Sequence, residues 1–289
     1  MATVQQTFKL SQPSLPANLR ALLAIVRRNW LIFRRYPSWV FAMLLWPIIF
    51  PAFYILGALA LAGPDGSGLV IFEKVAGTTN YLGYIVVGTT IWMWQNIVLW
   101  DVGFALREEQ MRGTLETNWL TPTFRFSFLL GSSINHLLIA MIFLIISFIE
   151  YALFYGIPFR GNPLVVLLVL LAAIPSIYGL GFAFASLVIT AKEAQNFVML
   201  VRGLVMIFCG TTYPIYIMPT WMQGIAKLLP QTYIIHAFRN AILEKANLAT
   251  LLPDLSILSL FGIFWLVTGG LLFTWMERRA RKSGAIGQY

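Results

Sequence analysis

The densest run of ionisable side chains in this 289-residue sequence lies at 107–122, where Arg107, Glu108, Glu109, Arg112 and Glu116 interleave with Gly113, Thr114, Leu115, Trp119 and Leu120 and end at Pro122. Glu108 and Arg112 are four residues apart, as are Arg112 and Glu116, so a helix through them carries an alternating ion-pair ladder on one face. Exposed pairs of this kind contribute only tenths of a kcal/mol each. Stability is therefore a weak reason for the pattern. Docking onto a partner is a better one, because complementary charge fixes register and rejects wrong partners. Leu115, Trp119 and Leu120 supply the apolar part of such a contact. A solvated connecting loop is the plain alternative.

Other groups capable of chemistry are scattered. Asp101, Glu150 and Arg202 stand singly inside apolar blocks, close enough to the block ends to reach an interface or a pairing partner. His136 and the sole cysteine, Cys209, read as packed residues, and two histidines leave little for a metal site. None of the six lysines follows a glycine, so the phosphate loop ending Gly-Lys-Ser/Thr is missing. No exposed-nucleophile motif accompanies the serines. The chain is therefore not read as an enzyme, and no cofactor or metal is assigned to it. Trp92, Gln95 and Asn96 are candidates for a polar pathway lining, although hydrogen bonding between helices explains the two amides equally well.

The elements that hold these residues are dictated by composition. Hydrophobic residues make up 59% of the chain and charged residues 11%, against roughly 25% charged in a soluble domain. So few charges cannot clothe a core of this size in water, which leaves an all-α integral membrane protein. Apolar stretches predict six spans, at 39–62, 81–106, 128–155, 164–190, 197–216 and 255–276. A net charge of +9 in a soluble protein would suggest nucleic acid, but here the basic residues flank the apolar blocks. With both termini inside, 15 basic residues fall on the inner side. Only Lys74, Arg160, Lys227, Arg239 and Lys245 fall outside. That bias predicts cytoplasmic termini.

Residues 18–36 differ from the spans. Leu19, Leu22, Leu23, Val26, Trp30 and Phe33 share one helical face, whereas Arg27, Arg28, Arg34 and Arg35 mostly lie elsewhere. This predicts an amphipathic helix in the inner interface with arginines toward lipid phosphates. The alternative is a cytoplasmic helix packed on its own protein. Residues 1–17 are expected as a flexible tail and 277–289 as a basic one. Between the fifth and sixth spans, 217–250 is too interrupted for a span and too long for a turn. Two short external helices, the first re-entrant or interfacial, are expected there. Gly179, Gly181, Gly269 and Gly270 mark places where helices approach closely.

Taken together, these segments resemble the ABC-2 type permeases, the membrane subunits of type V ATP-binding-cassette exporters such as daunorubicin-type drug exporters and polysaccharide or teichoic-acid exporters. The most specific piece matches at Glu109, Gly113, Thr114, Leu115, Glu116, Thr121 and Pro122. It departs at Asn118 and Trp119, where aliphatic residues are usual. Tyr213-Pro214, Pro219, Pro230, Tyr233 and Arg239 resemble the family's external re-entrant region.

The resemblance implies that Arg107, Glu108, Glu109, Arg112, Gly113, Thr114 and Glu116 couple the chain to an ATPase. It also implies a dimer of permeases, identical or paired with a paralogue, above two nucleotide-binding subunits that carry ATP and magnesium. The expected location is a prokaryotic plasma membrane, and the expected cargo is an amphiphilic drug, lipid or lipid-linked glycan. The rival readings are an ion- or proton-coupled transporter or channel, a membrane enzyme acting on lipid at Asp101 or Glu150, and an assembly subunit with no pathway.

Overall fold

The computed structural model describes residues 15–63, 67–121, 124–188, 194–244 and 246–283. Most of the expected tail at 1–17, the last residues of the expected basic tail, Pro122 and the side chains of Glu116 and Trp119 lie outside them. The described residues form eleven α-helices, α1 (Leu15–Arg35), α2 (Pro37–Ala62), α3 (Ser67–Ala76), α4 (Tyr81–Met111), α5 (Leu115–Leu120), α6 (Phe126–Phe154), α7 (Pro163–Val188), α8 (Ala194–Phe208), α9 (Thr220–Lys227), α10 (Pro230–Ile242) and α11 (Leu248–Ser283). One 3-10 turn, Ile215–Ile217, precedes α9.

Five helices, α2, α4, α6, α7 and α11, are long and apolar enough to cross a membrane. Their burial runs opposite to that of a soluble bundle. The most apolar 18-residue window of α4 is 83% buried although its mean hydropathy of 1.3 is the lowest of the five, whereas α2 and α11, at 2.1, are 17% buried. In lipid the outward face must be the greasy one, and the centre tolerates polar atoms that find partners. Thus α4 is the axis of the bundle, carrying Thr90, whose Oγ1 lies 2.7 Å from the Tyr151 hydroxyl of α6. Leu45, Phe53 and Leu56 of α2 and Leu260, Phe264 and Leu271 of α11 point outward.

Helices α7 and α11 form the closest pair. A Cβ on Gly179 would sit 2.7 Å from the Leu266 backbone nitrogen, and one on Gly269 would sit 2.9 Å from the Gly179 carbonyl. Backbone meets backbone there because the side chains are missing. Gly270, expected in the same role, has open space beside it.

The fifth expected span ends early. An apolar run through Tyr216 predicts one helix over 197–216, but α8 stops at Phe208, and Gly210 takes a left-handed φ of 67°. Its 15 described residues cover about 22 Å, and residues 189–193 before them lie outside the described residues. The short helix α3 follows α2; its ten residues, holding Glu73 and Lys74, make no span that hydropathy can detect.

Candidate functional site

The acidic and basic run of the sequence folds at one end of the bundle into the turn between α4 and α5. Of the predicted ladder, the Glu108–Arg112 pair is seen among the described residues. Arg112 Nη2 donates to Glu108 Oε2 at 3.2 Å, with both side chains half-exposed. The helix then stops, because Arg112 caps α4 and Gly113 turns with φ at 71°. Arg112 and Glu116 therefore do not share one continuous helix, and Glu116 lies instead on the separate helix α5.

Glu109 departs most from an exposed docking face. It is 3% exposed, and its carboxylate is shared among three elements. Oε1 accepts from Arg28 Nη2 of α1 at 2.9 Å. Oε2 accepts from Thr114 Oγ1 at 2.5 Å and from Asn118 Nδ2 at 2.9 Å. Arg28 also lies over the Phe128 ring of α6, 5.4 Å from its centroid. One buried carboxylate thus ties the α5 tip to the helix outside the spans and to the start of α6. Arg107 Nη1 bonds Gln110 at 2.6 Å within α4.

The turn consequently has two faces, an exposed one bearing Glu108, Arg112 and Gly113 and a buried one bearing Glu109 and Leu115. The buried position was legible in the spacing, since Val102, Leu106 and Glu109 continue one face of α4 at helical intervals.

Helix α1 has one face on the protein and the other turned outward. It packs on α6, where a Cβ on Gly131 would lie 3.0 Å from Ile25, Asn29 Nδ2 reaches Ser132 Oγ, and Asn18 accepts from the Phe124 backbone nitrogen. None of its residues is fully buried, Leu19 and Leu23 face outward, and Arg27, Arg34 and Arg35 are exposed. At the same end, Arg125 forms an ion pair with Glu277 and joins the start of α6 to the end of α11.

The pathway candidates Trp92, Gln95 and Asn96 lie on α4, two of them bonded to Arg202 of α8. Trp92 stacks on Phe50 of α2 and donates its Nε1 to the Arg202 carbonyl of α8 at 3.2 Å. Asn96 Oδ1 accepts from Arg202 Nε at 2.8 Å. Arg202 also lies within cation–π reach of Trp92 and Trp100, so it is held between α4 and α8. Gln95 is buried with no partner for either amide atom. Glu150 likewise turns inward, and its Oε2 is unpartnered.

At the opposite end, Arg239 of α10 is fastened to two other parts of the chain. Its Nε donates to the Tyr84 carbonyl of α4 at 3.1 Å, and its Nη1 and Nη2 donate to the carbonyls of Gly210 and Thr211 at 2.9 and 2.6 Å. The guanidinium lies 3.4 Å from the Tyr84 ring centroid. No carboxylate pairs with it among the described residues; carbonyl oxygens and a π face supply the negative charge. Space for this comes from Gly88, where a Cβ would meet the Thr211 carbonyl oxygen at 1.9 Å. Arg239 explains why the chain breaks after α8, since the turn at Gly210 and Thr211 presents two carbonyls to one fork.

The other residues singled out in this region define the two short helices. Pro219 caps α9 and Pro230 begins α10, where its missing N–H costs nothing. Tyr213 donates to the Ile207 carbonyl at 2.8 Å, and Pro214 is buried beside the turn. Tyr233 donates to the Lys227 carbonyl at 3.0 Å. Burial and the nearby Asp254 carboxylate raise the Tyr233 phenol, so its hydroxyl remains a donor at neutral pH. A cavity of about 610 Å³ opens among Tyr84, Tyr233, His236 and Arg239.

The described residues hold no group of three or more His, Cys, Asp or Glu side chains placed to bind a metal ion. No curated protein matches the chain. The family described as ABC-2 family transporter protein matches residues 68–271, from α3 to within α11. On that match across most of its length, the chain belongs to the ABC-2 transporter family, as a multi-pass membrane permease subunit that moves cargo rather than catalysing a reaction.

Proposed function

We propose that the chain is the membrane half of an ATP-driven exporter, working as a permease dimer above two nucleotide-binding subunits. On this reading the α4–α5 end and both termini are cytoplasmic, and the membrane is a prokaryotic plasma membrane. Helix α8 completes a sixth crossing, with α9 and α10 as a re-entrant pair. The observation that carries the proposal is the two-faced turn. Its exposed Glu108–Arg112 face is available to a motor, while its buried Glu109 is fastened to α5 through Asn118 and to α1 through Arg28, which in turn lies on Phe128 of α6. A push on α5 is thereby delivered to the membrane helices instead of being absorbed by a loose loop. ATP drives the cycle to the extent that the motor grips one permease conformation more tightly than the other.

The outward faces of α2 and α8 support a seam with the second permease; between them Trp92 of α4 stacks on Phe50 of α2 and donates to the Arg202 carbonyl of α8. The aromatic-rich surfaces suit an amphiphilic drug, lipid or lipid-linked glycan as cargo.

Co-purification of a nucleotide-binding subunit tests the partnership. Replacing Arg112 or Glu116 with alanine is expected to leave the complex folded and hydrolysing ATP while export falls about tenfold, the loss of roughly 1.4 kcal/mol of coupling. Normal export in both variants, measured in reconstituted vesicles, would remove the docking role.

A further inference from the structure

A second polar centre lies away from the coupling turn. Asp101 of α4 faces His136 of α6, with its Oδ2 3.1 Å from Nδ1 but without the alignment of a hydrogen bond. Both border a groove of about 810 Å³ bounded by α1, α2, α4 and α6. Its other walls are largely apolar and aromatic, among them Phe33, Trp39 and Trp46. Trp39 and Trp46 are 62% and 53% exposed, so they are free to take a guest. Asp101 lies six residues before Arg107, about 9 Å deeper along the helix.

The charge balance of the groove is uneven. Near its mouth, Arg28 is matched by Glu109 and Arg112 by Glu108, with Arg35 beside them. Deeper in, the acid Asp101 stands with a histidine and Asn135, whose buried Oδ1 has no partner. The unpartnered polar atoms at that depth are Asn135 Oδ1 and His136 Nδ1, beside the Asp101 carboxylate. Aromatic faces beside a carboxylate attract a desolvated cation and offer nothing to an anion.

The geometry points to a binding site for lipophilic cations between α1, α2, α4 and α6, with Asp101 as the counter-charge and Trp39 and Trp46 as the apolar clamp. This deepens the exporter reading by naming a cargo class, organic molecules carrying an amine, quaternary ammonium or phosphonium on an apolar body.

An isosteric pair of opposite charge tests it. In nanodiscs holding the full chain, with empty discs subtracted, tetraphenylphosphonium is expected to bind at least tenfold more tightly than tetraphenylborate. Asp101→Asn should abolish that preference while thermal stability stays near that of the wild type. A cationic aryl-azide probe on the wild-type chain should label peptides containing Trp39, Trp46 or Asp101, which keeps the test decisive even where Asp101→Asn folds poorly. Equal affinity for both ions, a preference that survives Asp101→Asn, or labelling confined to other helices would each overturn the proposal. Binding is measured without an ATPase. Intact cation binding with no ATP-driven flux would therefore count against the exporter reading and leave this site standing.

Discussion

Arg239→Ala is expected to lower the stability of the purified chain by about 3–4 kcal/mol, among the largest effects a single substitution has. Truncation removes charge-assisted bonds to three backbone carbonyls and the packing of the guanidinium on Tyr84. Each such bond contributes about 1.5–3 kcal/mol, but the losses overlap, since the Tyr84 carbonyl also lies within α4. Arg239→Lys keeps the charge and loses the planar fork, so about half the effect is expected. Thermal melting in detergent measures both. The accompanying structural change should be local, with the turn at Gly210 and Thr211 released from α4. An Arg239→Ala chain as stable as the wild type would mean that α10 and the turn at Gly210 are held by something else.

The second large effect is expected at Glu109. Glu109→Ala leaves Arg28, Thr114 and Asn118 without their shared acceptor, which costs about 2–3 kcal/mol because Glu109 is buried while Arg28 is 40% exposed and recovers part of its solvation. The functional loss should exceed the stability loss. With α5 unfastened from α1, the ATPase partner is expected to keep hydrolysing ATP while export falls by more than tenfold. Glu109→Gln still accepts from Arg28 at one atom but cannot accept from both Thr114 and Asn118, so an intermediate coupling ratio follows. Pumping efficiency per ATP, compared with melting temperature across the two variants, separates coupling from folding. Equal losses in both quantities would reduce Glu109 to a structural residue.

The class of protein and most of its helices were legible because lipid imposes a simple demand for about 20 apolar residues with no unsatisfied backbone. The five long helices follow that rule. Helix α8 does not, since hydropathy continues smoothly through Gly210, Tyr213 and Pro214 while the backbone turns toward Arg239. That break depends on a residue about 30 positions away, which no local window contains. Close packing at Gly179 and Gly269 was legible, because only small residues permit it.

From spacing alone, the charged run at the end of α4 reads as one exposed ladder. Glu109 belongs to the buried face instead. One of its oxygens accepts from Arg28, 81 residues earlier in the chain, a pairing that spacing does not reveal. Asp101 and His136 were read as separate residues for the same reason, since only the packing of α4 on α6 brings them together.

The proposed coupling requires the α4–α5 turn to lie on the cytoplasmic side of the membrane. Leu120→Cys tests this directly, because Leu120 is 84% exposed and the native Cys209 is buried and silent to maleimides. A membrane-impermeant maleimide is expected to label Leu120→Cys in inverted vesicles and not in intact cells, with a bound nucleotide-binding subunit shielding it. Labelling of intact cells would place the turn outside, where no ATPase reaches it, and would contradict the proposed coupling.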